Sequence, residues 1–138
     1  MHRLPDTDEA LVLRTDFADD DAWVRLCVDI QRPYGLFQAN VSCVSNRAFE
    51  GVTAEAIAAA EGGDGDDLRR TYLFIGDRRA LTDPDRPVLV LDLFDEPGRT
   101  FRVIPSEIGS VENNLSIANM DFRDFADACG PDGIFRGY

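Results

Sequence analysis

Short runs of apolar residues recur along this chain, and turn-forming residues bound each run. Four of them, at residues 10–15, 71–77, 88–94 and 100–104, are rich in Val, Leu, Ile and Phe and predict buried strands. Residues 36–44 instead alternate apolar and polar side chains, which is typical of a strand with one buried face. The pattern therefore predicts a sheet of about five strands.

Helical periodicity separates these strands. From Trp23 to Ile30 apolar side chains recur at helical spacing, after aspartates at residues 19–21 that complement the start of a helix. Three more helices are predicted to begin at residues that favour a first turn, namely Thr53, Pro105 and Asp121. Residues 78–86 are predicted to form a polar connection, and the tail at residues 134–138 an edge strand or a packed end.

The order of these elements predicts the architecture. Three strands alternate with two helices, a hairpin with a type I turn at residues 95–98 follows, and two helices end the chain. We therefore predict an α/β fold in which helices cover a mixed sheet, as a layered α/β sandwich. Right-handed crossovers place the first two helices on one face. One domain is expected over residues 1–138, with residues 1–8 as a flexible arm.

The chain is strongly acidic, with a formal net charge of -12 over 138 residues. Nucleic-acid binding is not expected, because phosphate contacts require a basic face. Such a surface keeps a protein soluble and attracts basic proteins, so solubility alone and a basic protein partner are both open. No apolar run approaches the roughly 20 residues of a membrane span, and the first ten residues lack a signal-peptide core. A cytoplasmic location without membrane contact is therefore expected.

The residue types that the sequence contains exclude several catalytic mechanisms. All 14 basic residues are arginines, whereas Schiff bases, pyridoxal phosphate and the Walker A motif need a lysine. The only histidine is His2, so a catalytic triad within the domain is not expected. Cys27, Cys43 and Cys129 are odd in number and widely spaced, which favours buried, reduced thiols. A nucleophilic Cys27 or Cys43 is disfavoured without an internal histidine. No cofactor is predicted.

The first candidate site is a pair of aspartates, Asp16 and Asp77, each directly after a predicted parallel strand. The carboxyl ends of parallel strands meet at one edge of a sheet, where α/β proteins bind ligands. The pair is suited to Mg²⁺ or to acid–base work, or each aspartate simply caps a helix or begins a turn. The acidic glycine loop at residues 62–67 lacks the EF-hand spacing, and no metal site is predicted there.

The second candidate site lies on the helix that begins at Pro105. Its apolar stripe is predicted to run from Ile108 to Ala118, and the candidates beside it are Glu112, Asn113, Asn114, Ser116 and Asn119. Asparagine is unfavourable inside a helix, so its concentration here predicts either ligand binding or amides that satisfy a neighbouring loop. Glu112 is the ionisable member, and Arg102 is its predicted partner.

Several phrases of the sequence resemble one family. They are LVLRTDF near the start, LTDP followed by PVLVLDL, DEPGRTFRVIPSE, and VENNLSIANMDF. Together they are similar to a family of short actinobacterial proteins that carries a domain of unknown function, over about residues 11–138. The resemblance implies a free-standing single-domain protein and assigns no catalytic residue.

Functions of different kinds remain open, and the sequence does not decide whether the protein is an enzyme. The first is a non-catalytic protein-interaction module, comparable to small immunity or antitoxin proteins, that engages a basic partner. The alternative is a small-ligand or Mg²⁺-dependent enzyme that uses the carboxylates at the strand ends. A third option is that the asparagine-rich helix forms a homodimer face.

Overall fold

Six strands are present in the computed structural model, which describes residues 1–62 and 68–138. They are β1 (Ala10–Arg14), β2 (Val41–Val44), β3 (Tyr72–Gly76), β4 (Val88–Asp92), β5 (Thr100–Val103) and β6 (Ile134–Phe135). They form one mixed sheet in the order β2-β1-β3-β4-β5-β6. β1 is parallel to β2 and β3, β4 is antiparallel to β3 and β5, and β6 is parallel to β5. The predicted α/β fold is confirmed, and the tail supplies an edge strand.

Among the described residues, five α-helices accompany the sheet: α1 (Asp20–Gln31), α2 (Ala54–Glu61), α3 (Arg78–Thr82), α4 (Pro105–Ser116) and α5 (Phe122–Ala126). A 3-10 helix spans Arg47–Phe49. α3 was not predicted, because only Ala80 of its five residues is buried and no apolar periodicity marks it. The Asp77 side chain caps it by accepting from the Ala80 N–H.

Helices cover both faces of the sheet, as a layered sandwich requires. One face packs against α1, α3, α4 and α5 around a core that includes Phe74 and Phe125. The other packs against α2, through Ile57, and against Phe49 and Leu4. The prediction that α1 and α2 share a face is therefore wrong. β2 lies on one side of β1 and β3 on the other, so two right-handed crossovers that run in opposite directions place their helices on opposite faces.

The strand predicted over residues 36–44 is shorter than expected. Only Val41–Val44 pair with β1, whereas Tyr34 and Phe37 pair with each other in an isolated bridge. The Asn40 N–H donates to the Glu112 carboxylate instead of to a strand. Because β1 begins at Ala10, the partner of Val41, the residues before Val41 have no strand to pair with.

The hairpin between β4 and β5 also differs from the prediction. The tight turn comprises residues 96–99 and is closed by the Arg99 N–H, which donates to the Glu96 carbonyl at 2.9 Å. Pro97 occupies the second position and Gly98, with a φ of 98°, the third, which identifies a type II turn rather than type I. The Asp92 carboxylate accepts from the backbone N–H groups of Phe94 and Glu96. β4 therefore ends at Asp92.

The first residues contact the domain at specific points. Leu4 is fully buried in the α2-side core. The Leu4 carbonyl accepts from Arg69 and the Pro5 carbonyl accepts from Arg70. Within the segment predicted as a flexible arm, residues 1–3 precede these contacts, and we expect mobility to be concentrated there.

Helix length bears on membrane insertion. In the two described ranges, no helix has the length and apolar character that crossing a bilayer requires.

Candidate functional site

A cavity of about 510 Å³ opens where β1 and β3 end. The chain leaves β1 towards β2 on one side and returns to β3 on the other, so this edge is a topological switch point, the usual place for a ligand in an open α/β sheet. The cavity brings together Asp16 and Asp77, as their positions predicted. It continues along the α2 side of the sheet to Thr100 and Arg102 on β5.

Close packing around Gly76 shapes this edge. A Cβ atom on Gly76 would lie only 2.8 Å from Trp23 Cζ3, so the absence of a side chain lets α1 approach the end of β3. The Thr15 N–H donates to the Gly76 carbonyl at 3.1 Å, and the Gly51 N–H donates to the Thr15 carbonyl at 2.8 Å. These bonds hold the segments after β1 and before α2 against β3.

The Asp77 carboxylate is hydrogen-bonded to two neighbours, Arg102 and the Ala80 N–H. Its Oδ2 accepts from Arg102 Nη2 at 2.7 Å, and its Oδ1 accepts from Arg102 Nη1 at 3.0 Å and from the Ala80 N–H. Arg102 therefore pairs with Asp77, and the prediction that it pairs with Glu112 is wrong. A bidentate guanidinium leaves little of this carboxylate free for a divalent cation.

Replacement of Asp77 by alanine is expected to lower the free energy of unfolding by about 2–3 kcal/mol, because it removes the α3 cap and leaves Arg102 without its partner. Asp77→Asn keeps a cap oxygen and loses the charge, so about 1–2 kcal/mol is expected. Urea unfolding followed by circular dichroism measures both. Equal losses for the two variants would show that the ion pair alone accounts for the effect.

Asp16 sits beside an arginine that sequence reasoning missed. The Asp16 carboxylate accepts from the Ala18 N–H at 3.0 Å, and its backbone carbonyl accepts from Arg14 Nε at 2.8 Å. Arg14 is only 3% exposed and also pairs with Asp20 at 2.8 Å. Its guanidinium lies 4.3 Å from the centre of the Phe17 ring, in a cation–π contact. The signal was a lone arginine inside the apolar run of β1.

The cavity has mixed electrostatic character. Asp16 and Glu55 offer carboxylates without an ion-pair partner in the described chain, whereas Arg78 is an exposed cation at the same opening. Thr15 and Thr53 add hydroxyl groups, although the Thr53 oxygen already accepts from the Ala56 N–H. Such a lining suits a polar molecule that carries both donors and acceptors.

Glu112 lies away from this cavity, in the core on the α1 side of the sheet. It was predicted at the edge of the apolar stripe but is only 5% exposed. Its Oε1 accepts from the Asn40 N–H at 3.1 Å, and the Tyr72 hydroxyl donates to its backbone carbonyl at 3.3 Å. Burial raises the pKa of the Glu112 carboxyl; the Asn40 hydrogen bond opposes this rise and the charge of Glu9 adds to it.

We expect Glu112→Gln to flatten the pH dependence of stability. The raised pKa means that the folded protein holds this proton more tightly than the unfolded chain does. The resulting stability is fully present below the ordinary carboxyl pKa and is lost as pH rises through the raised value. Glutamine has no charge to desolvate and still accepts from Asn40.

Urea unfolding between about pH 4 and pH 8 measures this dependence. Glu55→Gln removes the same charge from an exposed side chain and serves as the control. A Glu112→Gln protein with the wild-type pH slope would contradict the prediction.

The asparagine candidates bond to one another and finish α4. The Asn114 carbonyl accepts from the backbone N–H groups of Asn119 and Met120, and Asn119 Nδ2 donates to Asn114 Oδ1 at 2.9 Å. The Ser116 hydroxyl donates to the Asn113 carbonyl at 3.1 Å. These bonds account for the side-chain amides of Asn114 and Asn119 within the fold, and ligand binding by the candidate residues stays a prediction.

The apolar stripe of α4 was predicted to reach Ala118, but in the structure it does not. The helix ends at Ser116, and Ala118 is exposed with a φ of 54°, in the left-handed region. Hydrogen bonds from residues 119 and 120 back to Asn114 impose this reversal.

A metal centre with several side-chain ligands would need a group of His, Cys, Asp and Glu residues within the described ranges. No group of three or more His, Cys, Asp and Glu side chains there is arranged to hold an ion. Of the acidic glycine loop considered in the sequence, residues 63–67 lie outside the described residues.

Comparison with known proteins identifies the family. The chain matches the family described as Domain of unknown function (DUF6924) over residues 9–138. No curated protein matches it. Because the match covers nearly the whole chain, this protein belongs to the DUF6924 family, as the resemblance of its sequence phrases indicated.

Proposed function

We propose that this protein is a non-catalytic interaction module that engages a basic protein partner through its acidic surface. The observation that carries the proposal is the distribution of charge pairs. Most arginines are bound within the molecule, by partners such as Asp20 for Arg14 and Asp77 for Arg102. Further pairs join Arg69 to Glu61 and Arg99 to Asp127. Apart from the buried Asp92 and Glu112, most of the surplus carboxylates therefore face solvent without a cation.

Four of these carboxylates surround the switch-point edge. We call Asp16, Asp19, Asp21 and Glu55 the acidic edge; each lacks an ion-pair partner in the described chain. Asp16 and Glu55 line the same cavity, and Asp19 and Asp21 lie at the start of α1. Concentrated negative potential accelerates association with a basic partner and selects against acidic ones.

Variants in which carboxylates are replaced by neutral amides test this proposal. Asp16→Asn, Asp21→Asn and Glu55→Gln together remove three charges from the acidic edge, and the side-chain oxygen in Asp16→Asn still accepts from the Ala18 N–H. Asp8→Asn, Glu9→Gln and Asp95→Asn remove three exposed charges elsewhere and form the matched control. Affinity capture from the source cell at low and moderate salt, with mass spectrometry, identifies what each protein binds.

We expect the wild type and the control to capture the same basic protein and the edge variant to lose it. The absence of any basic protein at either salt concentration would refute the proposal. Equal loss by both variants would show that net charge, rather than the acidic edge, governs binding.

The second candidate function is binding of a small polar ligand in the switch-point cavity, including a Mg²⁺-dependent reaction at its carboxylates. The observation that favours it is that Asp16 and Asp77 line one cavity of about 510 Å³. Asp16 is the more available carboxylate, because Asp77 is bound by Arg102.

A thermal-shift screen with Mg²⁺, nucleotides and common metabolites tests ligand binding. A ligand at 100 times its Kd stabilises the folded state by about 2.7 kcal/mol, which raises the melting temperature of a domain of this size by a few degrees. A shift that Asp16→Asn abolishes would support the cavity. A flat screen would leave the interaction module as the proposed function.

A further inference from the structure

We propose that a second cavity, at the opposite edge of the sheet from the switch point, binds a small arylalkylamine. The cavity has a volume of about 250 Å³. It lies where β3 begins and β4 ends, since Tyr72 of β3 pairs in register with Asp92 of β4 and both side chains line it. The switch-point cavity lies at the other end of β3, so the two sites are separate.

The turn after α4 forms one wall of this cavity. α4 ends at Ser116, and the Met120 N–H donates back to the Asn114 carbonyl at 3.3 Å. This reversal places Ala118 and Met120 along the cavity. The asparagine-rich end of α4 therefore shapes the wall, and Ser116, one of the candidates from the sequence, lines it.

Apolar side chains give the cavity an affinity for a hydrocarbon body. The larger ones that line it are Tyr72, Phe94, Leu115, Met120 and Phe122. Phe94 is 53% exposed, and Leu115 and Met120 are half-buried. A ligand that covers these three removes apolar surface from water, which supplies most of the affinity in small-molecule sites. Aromatic rings also attract a cation that lies over their faces.

The charge of the cavity selects a cation. Among the described residues, the charged side chains that line it are all carboxylates, namely Asp92, Asp95 and Asp121. Asp92 is only 2% exposed, and its carboxylate bonds to backbone N–H groups without an ion-pair partner in the described chain. Asp95 is exposed, whereas Asp121 contacts Arg123 at 3.5 Å on the surface. Beside apolar walls, this negative charge attracts cations and repels anions.

The hydroxyl groups at the cavity favour a ligand that donates hydrogen bonds. The Ser116 hydroxyl already donates to the Asn113 carbonyl at 3.1 Å, so its oxygen keeps lone pairs for an incoming N–H. The Tyr72 hydroxyl donates to the Glu112 carbonyl at 3.3 Å, so its proton is engaged within the fold. A primary ammonium group carries only donors. An aromatic ring joined to an ammonium group therefore matches both the walls and the polar groups.

The volume limits the ligand to a small molecule. About 250 Å³ is the liquid volume of roughly eight water molecules. Phenethylamine, a benzene ring with a two-carbon chain and an amine, is of this size. For so small a ligand we expect a Kd on the order of 1 mM.

The experiment titrates the isotope-labelled full chain with phenethylamine and follows the backbone amide signals by NMR. Two matched probes separate the contributions: 3-phenylpropionate keeps the ring and reverses the charge, and methylamine keeps the charge and lacks the ring. We expect saturable shifts with phenethylamine alone, at residues 71–72, 94–95 and 115–122. Residues 15–16 and 77–78, at the switch point, are expected not to shift.

Two variants test the ring and the charge separately. Phe94→Ala is expected to raise the Kd about tenfold, because it removes the most exposed aromatic surface of the cavity. Asp95→Asn is expected to raise it about threefold at low salt. Both side chains are exposed, so the fold is expected to persist. Asp8→Asn removes one exposed charge away from the cavity and should leave the Kd unchanged.

A titration without saturable shifts at the cavity, or equal binding of 3-phenylpropionate, would overturn the proposal. Equal weakening in Asp8→Asn and Asp95→Asn would also overturn it, because net charge rather than the cavity would then govern binding. Shifts confined to the switch point would place the amine at the acidic edge instead. Capture of a basic protein at that edge does not depend on this cavity, so the two experiments fail independently.

Discussion

Replacing Phe125 by alanine is expected to lower the free energy of unfolding by about 3–5 kcal/mol, the range for deletion of a fully buried aromatic side chain. Phe125 is fully buried, and its ring lies 5.2 Å from that of Phe135 and 6.2 Å from that of Phe101. These contacts join α5, β5 and β6. Removal of the ring leaves a cavity at the point where the last third of the chain attaches to the sheet.

Urea unfolding followed by circular dichroism measures this loss. Phe94→Ala deletes the same atoms from a side chain that is 53% exposed, and about 0.5 kcal/mol or less is expected for it. Phe125→Leu fills part of the cavity and should fall between the two. Similar losses for Phe125→Ala and Phe94→Ala would contradict the prediction.

Asp92→Ala is the second change with a large expected effect, about 2–3 kcal/mol. The Asp92 side chain is almost fully buried, and one of its oxygens accepts from the Phe94 N–H at 2.9 Å. The other accepts from the Glu96 N–H at 2.9 Å, and the Asp95 N–H adds a longer bond. Alanine leaves all three donors without this acceptor, and hydrogen bonds to a charged group are among the strongest in proteins.

Asp92→Asn separates charge from shape. Its single carbonyl oxygen keeps part of the network, so about half of the loss in Asp92→Ala is expected. Asp95→Asn, in the same loop but exposed, is the control for removal of a charge. Unfolding by urea measures all three variants, and an Asp92→Ala protein as stable as Asp95→Asn would show that the loop holds its shape without the carboxylate.

Local patterns in the sequence were sufficient to predict most strands and helices. β3 and β4 are continuous apolar runs, and the buried side chains of α1 recur at helical spacing. Each type of element needs apolar residues at its own spacing along the chain in order to bury one side, so the spacing identifies the element. The errors fall where a distant group decides. β2 begins late because β1 offers no partner to residues before Val41, and the Asn40 N–H donates to Glu112 on α4. α3 depends on its cap at Asp77 rather than on apolar residues.

The candidate site was likewise predictable only in part. Positions directly after two parallel strands placed Asp16 and Asp77 at one edge of the sheet, and the structure finds both lining one cavity. Which arginine meets which carboxylate was not predictable. Arg102 reaches Asp77 because the register places Arg102 opposite Leu89, and Leu89 opposite Ile75, on the α2 side of the sheet. Glu112 lies on the other side, with α4.

By itself the sequence determined the class of fold, the acidic surface and the small set of reactive groups, since these depend on composition and on local period. Only the tertiary structure decided which helices share a face, that Arg14 is buried, and that Arg102 bonds to Asp77. Each of those contacts joins residues far apart in the chain. Strand order and register set their distance, and no local pattern of side chains encodes either.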